Sequence, residues 1–469
     1  MRPTEPREST LGGLRTSGHV QRSVKAEIRH NLLTRLRSGE PRFPGIVGFD
    51  ETVLPHLERA LLAGHDLVLL GERGQGKTRL IRTLGGLLDE WTPVVAGCEI
   101  NDHPYEPVCV RCRRLAAEAG DDLPVAWLHR DDRYGEKLAT PDTSVGDLIG
   151  DVDPIKVAEG RTLGDPETVH FGLVPRTNRG IFSINELPDL AERIQVALLN
   201  VLEERDVQVR GYALRLPLDL LLVASANPED YTNRGRIITP LKDRFGAEIR
   251  THYPLELDTE LELIRQEAEF ADGAEVPGHL VEVIARFTRL VRESTAVDGR
   301  SGVSARFALA GAETVAAGAA RRAALTGEER AVARVCDLPS VVPSLMGKVE
   351  FEVSEEGREQ EVLEHLLRRA IAETYRRTLG PADLTGLLDK FDSGELVESG
   401  ELVPAAELLR RIGQVPGLAK IMERLDMSGE SPEQAAAALE FALEGLYLTR
   451  RLSKDVGAGG GDGTATYHT

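Results

Sequence analysis

A glycine-rich loop between an apolar run and a helix-forming run constrains this 469-residue chain more than any other feature. The apolar run is Leu67–Leu70, and the loop after it reads Gly71-Glu72-Arg73-Gly74-Gln75-Gly76-Lys77-Thr78. This is the G-x-x-x-x-G-K-[ST] pattern in the strand–loop–helix setting that phosphate binding requires. Glycines let backbone N–H groups close around phosphate oxygens, and the helix N-terminus favours anions. The sequence therefore predicts a nucleotide site, with Lys77 at the outer phosphates and the Thr78 hydroxyl on Mg²⁺.

Composition argues against several classes of function. Apolar residues make up 41% of the chain and charged residues 28%, as in a globular protein, and the length favours two or three domains. A formal charge of −19 argues against a protein that coats nucleic acid, because phosphate binding needs clustered cations. No apolar run approaches the roughly 18 residues of a membrane span, and the N-terminus lacks a signal-peptide core. We therefore expect a cytoplasmic protein.

The order of apolar segments predicts an α/β core followed by helices. Further strand candidates lie at 180–184, at 216–226 and just before His252, and runs buried on both faces indicate a parallel sheet with helices on both sides. Helical spacing then continues to about residue 451, with one of the helices at 327–336. The predicted organisation is a flexible arm and amphipathic helix at 1–41, an α/β domain at 42–252, helical regions at 253–325 and 326–451, and a disordered tail at 452–469.

Three of the four cysteines lie in a segment, 97–140, that does not follow the α/β alternation. They form the pattern C-x10-C-x2-C, and their positions are Cys98, Cys109 and Cys112. Thiolates three positions apart can bind one tetrahedral Zn²⁺ if further ligands complete the site. His103 is the fourth ligand that we name, with Asp102 and His129 as alternatives. A buried C-x-x-C turn without metal is the competing interpretation.

A phosphate loop hydrolyses a nucleotide only with a carboxylate for the magnesium shell, a group that activates water, and positive charge on the transferred phosphoryl. Glu186, at the end of a buried strand candidate, is the predicted water-activating residue. Asn185 precedes it at the position where a magnesium-holding aspartate is usual. Its amide can accept a hydrogen bond from metal-bound water but supplies no charge. Capping of a helix N-terminus is the alternative role for this pair.

Three other polar residues are candidates by position. Asn227 ends the next strand candidate and could polarise the attacking water, or it could form an Asn-Pro turn without a catalytic role. Arg244 precedes a strand and could act on the transferred phosphoryl as an arginine finger, and Arg306 lies in the first turn of a helix. Each arginine, taken alone, could equally be a surface residue.

Together these motifs, in this order, resemble the AAA+ ATPases over about residues 42–325. The similarity is greatest to the ATPase subunit of magnesium chelatase, to its MoxR-type relatives and to stand-alone bacterial magnesium-chelatase-like proteins. The segments that carry it include Ile149-Gly150-Asp151, Gly172-Leu173-Val174, Asn178-Arg179-Gly180-Ile181 and Leu241-Lys242-Asp243-Arg244-Phe245-Gly246.

The resemblance implies a P-loop AAA+ core that binds ATP and Mg²⁺, with 253–325 as a helical lid, in a ring that we expect to be a hexamer with ATP between subunits. It implies an inserted hairpin near 165–175 and places Ile46 and Val47 near the adenine. Arg244 would act on the neighbouring subunit's nucleotide, and Arg306 would sense the γ-phosphate. This chain departs from the family pattern at Asn185, in the cysteine-bearing segment and in the long C-terminal helical region.

We therefore expect a ring-forming motor that hydrolyses ATP to remodel or activate a partner protein of the von Willebrand A-domain type. The motor subunit of magnesium insertion into protoporphyrin is an alternative from the same class. A nucleotide-gated scaffold with little hydrolysis is an alternative from a different class, and Asn185 favours it because an amide adds no charge to the metal site.

Overall fold

A computed structural model describes residues 4–469 except 154, 156–157, 159–167, 205–206, 210–211, 215, 229–235, 300, 428–430 and 457–463. The chain divides into two compact units, Met1–His252 and Tyr253–Thr469. Within the described ranges, no helix is long and apolar enough to cross a membrane.

The first unit alternates strands and helices. Its helices are α1 (Leu11–Thr16), α2 (Val24–Ser38), α3 (Val53–Ala63), α4 (Lys77–Thr83), α5 (Val110–Ala119), α6 (Val145–Leu148), α7 (Leu173–Arg176), α8 (Glu192–Glu204) and α9 (Thr239–Arg244). Its strands are β1 (Leu67–Leu70), β2 (Trp91–Val95), β3 (Val125–His129), β4 (Tyr134–Leu138), β5 (Gly150–Val152), β6 (Val169–Phe171), β7 (Gly180–Asn185), β8 (Val207–Val209), β9 (Tyr212–Leu214), β10 (Leu220–Ala226) and β11 (Ala247–Arg250).

A five-stranded parallel sheet forms the centre of the first unit, in the order β11-β1-β10-β7-β4. Every residue of β1, β7 and β10 is buried. Alternate residues of β1 belong to different apolar clusters, Val68 and Leu70 to one and Leu67 and Leu69 to the other, so apolar layers cover both faces. The predicted α/β fold with a parallel sheet is confirmed. Because parallel strands end at the same edge, the phosphate loop lies beside the segments that follow β7 and β10.

The prediction that residues 97–140 lie outside the α/β core is wrong for their last part. Tyr134–Leu138 is β4, the edge strand of the central sheet, and it pairs with β7 from Tyr134↔Ile181 to Leu138↔Asn185. Ahead of it, β3 pairs antiparallel with β2. An edge strand is bonded on one side only and needs no continuous apolar run, so its sequence, Tyr-Gly-Glu-Lys-Leu, carries no buried-strand pattern.

The predicted flexibility of the arm at the start of residues 1–41 is also wrong in part. Leu11–Thr16 forms α1, whose N-terminus is capped by the Thr10 hydroxyl, which accepts from the Gly13 N–H at 3.2 Å. Leu11 and Leu14 are buried, and the Leu11 N–H donates to the Leu123 carbonyl at 3.0 Å. The helix is stabilised by contacts with residues more than a hundred positions away, which local composition does not reveal.

The hairpin implied near 165–175 falls only partly on described residues, because 165–167 lie outside them. Val169–Phe171 forms β6, which pairs antiparallel with β5. The helix α7 follows immediately and leads toward β7.

The second unit is helical with small sheets. Its helices are α10 (Leu257–Glu267), α11 (Gly278–Glu293), α12 (Ala305–Thr326), α13 (Val341–Leu345), α14 (Glu359–Thr378), α15 (Thr385–Asp392), α16 (Ala405–Ile412), α17 (Leu418–Arg424) and α18 (Pro432–Leu448). Its strands are β12 (Ala274–Glu275), β13 (Ala331–Val332), β14 (Val397–Ser399), β15 (Ser453–Val456) and β16 (Ala465–His468). One apolar cluster runs through it from Leu261 to Tyr467.

Two predictions for the second unit are wrong. The helix expected at 327–336 is replaced by β13, which pairs with β12, and by a short 3-10 helix at Val335–Ser340. The tail expected to be disordered at 452–469 contains β15 and β16, which form an antiparallel sheet with β14 in the order β14-β16-β15. Tyr467 is buried at 2% exposure, so a pairing partner far away in sequence outweighs the polar composition. Residues 457–463 of that segment lie outside the described residues.

Candidate nucleotide-binding site

The phosphate loop, Gly71–Thr78, connects β1 to α4. Gly74 and Gly76 have φ of 73° and 75°, a backbone conformation that glycine adopts at little cost. Gly71 has no room for a side chain, because a Cβ there would lie 2.0 Å from the Thr251 hydroxyl oxygen. That hydroxyl donates to Gln75 Oε1 at 2.9 Å. The loop is thereby tied to the residue that follows β11.

Lys77 is the first residue of α4 and is only 6% exposed. Its ammonium donates to the backbone carbonyls of Gly71 and Glu72, the latter at 2.8 Å, and to Asn227 Oδ1 at 2.7 Å. The Asn227 Nδ2 donates to Glu186 Oε2 at 2.8 Å. The Asn227 amide therefore bridges the loop cation and a carboxylate. The structure thus brings together three predicted site residues, which lie in the segments that follow β1, β7 and β10.

Glu186 has a strained backbone. Its φ of 56° and ψ of 49° are left-handed, which costs a non-glycine residue about 1–3 kcal/mol. Its N–H donates to the Ser225 hydroxyl at 3.3 Å. Strain of this kind persists where the surroundings hold it and is concentrated at functional sites. This strain is independent of the side-chain contacts, and it favours a functional role for the residue that follows β7.

Asn185 ends β7 and is 7% exposed. Its Nδ2 donates to Glu136 Oε1 at 2.7 Å, and its Oδ1 accepts from the Ser225 hydroxyl at 3.3 Å. Glu136 lies on β4 and was not predicted as a site residue. The Arg82 guanidinium donates to both oxygens of that carboxylate, each at 2.9 Å. Arg82 lies four residues after Thr78 on α4, so the two side chains share one face of the helix.

Glu136 supplies a negative charge next to the position where the sequence has an amide. Hydrogen bonding to the Arg82 guanidinium holds the pKa of the Glu136 carboxyl below its usual range, so it is ionised at neutral pH. The Tyr134 hydroxyl also donates to it, at 3.0 Å. No local sequence pattern marks Glu136. Its position beside Asn185 depends on the register of β4 against β7, in which Lys137 pairs with Ile184 and Leu138 with Asn185. Glu136 could have been predicted as a site residue only if Tyr134–Leu138 had been recognised as a strand of the central sheet.

The other predicted nucleotide-site residues lie as follows. Ile46 and Val47 are half-buried in the loop before α3, and Ile46 packs on the apolar cluster that contains Leu80 of α4. Arg244 is exposed at the last residue of α9. Arg306 is exposed in the first turn of α12 in the second unit, where its N–H donates to the Ser304 hydroxyl at 3.1 Å. The roles of Ile46, Val47, Arg244 and Arg306 stay predictions.

The three clustered cysteines do come together, but with a different fourth residue. The potential ligand atoms of Cys98, Cys109, Cys112 and Asp102 all lie within 4.8 Å of one another. His103 is not in this group. Its ring stacks on that of His19 with centroids 5.7 Å apart, and its Nδ1 accepts from the Tyr105 N–H at 3.0 Å.

The remaining alternative, His129, is also outside the group. It pairs with Asp131 at 3.2 Å and packs edge-on against Trp91. The choice of His103 as the fourth residue is therefore corrected to Asp102, whose carboxylate the turn after Cys98 brings toward the sulfurs.

Comparison with known proteins agrees with the motif order. No protein-family model matches the chain. Over 245 residues the chain is 31% identical to the magnesium-chelatase 38 kDa subunit of Acidiphilium rubrum, covering 49% of this chain and 63% of that protein. Over 239 residues it is 29% identical to the magnesium-chelatase subunit ChlI of a Nostoc species, covering 49% and 59%. The chain is homologous to these magnesium-chelatase subunits over about half of its length. The resemblance inferred from the motifs is confirmed.

The chain spans about 60% of the length of these curated relatives. Among solved structures, it is similar to a chain in the complex between the BchI and BchD subunits of magnesium chelatase, based on a cryo-EM reconstruction. That chain is 23% identical, and the match covers 69% of this chain and 98% of the other, with a TM-score of 0.36.

Proposed function

We propose that this chain is an AAA+ protein that binds ATP with Mg²⁺ and hydrolyses it as a ring-forming motor that acts on a partner protein. The observation that carries the proposal is the hydrogen-bonded series Lys77–Asn227–Glu186, with distances of 2.7 and 2.8 Å. It joins a buried cation at the phosphate loop, across the end of β10, to a carboxylate that follows β7. These are the groups that phosphoryl transfer to water requires.

The residues present fit a magnesium–nucleotide group. A Cβ added at Gly76 would meet nothing within 4 Å, so the space beside the residue that precedes α4 is open. Thr78 is half-buried directly after Lys77 and would hold the ion through its hydroxyl. When bound, Mg²⁺ supplies the charge that neutralises the β- and γ-phosphates.

Each polar residue then has a separate task. Lys77 holds the outer phosphates, and Glu186 orients the attacking water and accepts its proton. Asn227 fixes the Glu186 carboxylate through its Nδ2 and keeps its Oδ1 on Lys77. By analogy with the family, Arg244 acts on the nucleotide of a neighbouring subunit and Arg306 senses the γ-phosphate.

We further propose that Glu136 replaces the missing aspartate at position 185. The Asn185 amide and the Glu136 carboxylate form one hydrogen-bonded pair beside the helix face that carries Thr78 and Arg82. The pair would place a carboxylate charge near the outer shell of the metal, on β4 instead of β7. This counts against a scaffold that scarcely hydrolyses ATP, the function that the uncharged Asn185 alone would favour.

The assembly and the partner are proposed from homology. A hexameric ring, a cytoplasmic location and a von Willebrand A-domain partner are what the family resemblance implies. Insertion of magnesium into protoporphyrin is the second candidate, favoured by the names of the relatives that are about 30% identical. The presence or absence of the other chelatase subunits in the same genome distinguishes the two.

Steady-state ATP turnover by the full chain tests the proposal. Glu186→Gln is expected to lower kcat by at least about 100-fold, the range for loss of a general base, with nucleotide affinity little changed. Lys77→Ala is expected to abolish nucleotide binding. Glu40→Gln, the same change at an exposed position, is the matched control and should match the wild type. Equal turnover by the wild type and Glu186→Gln would leave a nucleotide-gated scaffold as the function.

A further inference from the structure

A second group of chemically reactive side chains lies in the first unit and takes no part in the nucleotide site. It is the cysteine cluster, defined by Cys98, Asp102, Cys109 and Cys112. Its four potential ligand atoms lie within 4.8 Å of one another. A tetrahedral site with Zn–S bonds of about 2.3 Å has its sulfurs about 3.8 Å apart, so the cluster is close to the size that one such ion needs.

The sulfurs are oriented by backbone donors. The Asp102 N–H donates to Cys98 Sγ at 3.3 Å, and the Cys112 N–H donates to Cys109 Sγ at 3.3 Å. Hydrogen bonds of the N–H···S kind orient and stabilise thiolate ligands. Backbone donors thus orient two of the three sulfurs, and all three lie within 4.8 Å of one another.

Asp102 supplies the second, independent observation. It is 1% exposed, and its Oδ2 accepts from the Cys109 N–H at 2.9 Å. Its Oδ1 is buried and has no hydrogen-bond partner among the described residues. A buried carboxylate oxygen without a partner is costly. A cation bound by this oxygen would remove that cost.

We propose that Cys98, Asp102, Cys109 and Cys112 bind one structural Zn²⁺ ion. Thiolate ligands select zinc over magnesium and calcium, which take oxygen ligands. An iron–sulfur cluster spreads its cysteines over several iron atoms and needs them farther apart than they are here. Four protein ligands leave no open position, which is the arrangement of structural rather than catalytic zinc.

The ion would stabilise the segment between Cys98 and Cys112, which contacts two other parts of the first unit. The Asn178 side chain, two residues before β7, donates to the Ile100 carbonyl at 2.9 Å. The Tyr105 hydroxyl donates to the Leu14 carbonyl of α1 at 3.2 Å. Zinc would therefore act at a distance from the nucleotide, by fixing the start of β7, the strand that precedes Glu186, and by holding α1 in place.

Elemental analysis of the full chain, purified without a metal-chelating resin, tests the proposal. We expect about one zinc per chain, and a thiolate-to-cobalt charge-transfer band after replacement by Co²⁺. Asp102→Asn keeps an acceptor for the Cys109 N–H but removes the charged ligand. It is expected to lower zinc affinity at least about tenfold in a chelator competition. The controls His103→Gln and Cys336→Ser should keep both the zinc and its affinity.

Several outcomes would overturn the proposal. Zinc below about half an equivalent in wild-type protein, with no cobalt charge-transfer band, would exclude the site. Iron with acid-labile sulfide, or a Cys109–Cys112 disulfide in the native protein, would assign the cysteines to other chemistry. Equal loss of zinc in His103→Gln and Asp102→Asn would refute the ligand set. If Asp102→Asn does not fold, the cobalt spectrum of the wild-type protein decides.

Discussion

Replacement of Asn185 by aspartate tests whether Glu136 supplies the negative charge at the end of β7. Because P-loop NTPases usually have aspartate at this position, the simplest expectation is tighter magnesium binding and faster turnover. The structure predicts the opposite. The new carboxylate would lie where the Asn185 Nδ2 now donates to Glu136 Oε1, at 2.7 Å.

Two effects set the magnitude. The substitution removes a hydrogen bond to a charged acceptor, which is worth about 1.5–3 kcal/mol. It also places two carboxylates side by side, and unit charges 4 Å apart repel by about 4 kcal/mol at an effective dielectric constant of 20. Arg82 and the 21% exposure of the Glu136 side chain reduce that repulsion. We expect the free energy of unfolding of Asn185→Asp to fall by about 2–4 kcal/mol at pH 8.

The sign of the pH dependence follows from proton binding. Repulsion raises the pKa of the carboxylate pair in the folded variant above the value of about 4 in the unfolded chain. Between these two values the folded state binds more protons than the unfolded state. The stability of Asn185→Asp should therefore rise, relative to the wild type, as the pH is lowered from 8 to 5.5.

Denaturant unfolding at both pH values, with fluorescent-nucleotide binding as a function of Mg²⁺, measures these effects. The exchange of charges in the double variant Asn185→Asp/Glu136→Gln restores one carboxylate and one amide. It should recover most of the stability and the magnesium-dependent affinity, whereas Glu136→Gln alone should lose that affinity. The reasoning is refuted if Asn185→Asp is as stable as the wild type at pH 8 and turns over ATP faster, or if the double variant is no better than additive.

Two further predictions concern one buried ionisable group in each unit. Glu27 accepts two hydrogen bonds of 2.7 Å from Arg133, which is 1% exposed. Glu27→Gln should therefore lower the free energy of unfolding of the first unit by about 3–5 kcal/mol in denaturant titrations. A loss below about 1 kcal/mol would contradict this prediction. Burial lowers the pKa of His279 to about 3, and neither ring nitrogen has a hydrogen-bond partner in the part of the chain that the structure describes. The unfolded state thus binds more protons below pH 6.5, and stability should fall by up to about 1.4 kcal/mol per pH unit as the solution is acidified. His279→Leu should remove this slope, and an unchanged slope would contradict the assignment.

The phosphate loop and four of the five strands of the central sheet could be predicted from sequence because their determinants are local. The loop requires its glycines, lysine and threonine at fixed spacing, and strands buried on both faces are continuous apolar runs. The same reasoning placed Glu186 and Asn227 at strand ends. Their mutual contact follows from the parallel sheet, since parallel strands present their carboxyl ends at one edge.

Glu136, Asp102 and the C-terminal strands depend on partners that are distant in sequence. Glu136 faces Asn185 only because β4 pairs with β7 in one register, and a polar edge strand has no apolar pattern that would reveal this pairing. Asp102 and His103 are adjacent in the chain, and the turn after Cys98 decides which of them meets the sulfurs. The amino-acid sequence by itself thus determined that this protein has a phosphate loop and a parallel sheet. The tertiary structure decided which carboxylates complete its sites, because the direction of a side chain depends on strand register and turn geometry, which neighbouring residues alone do not set.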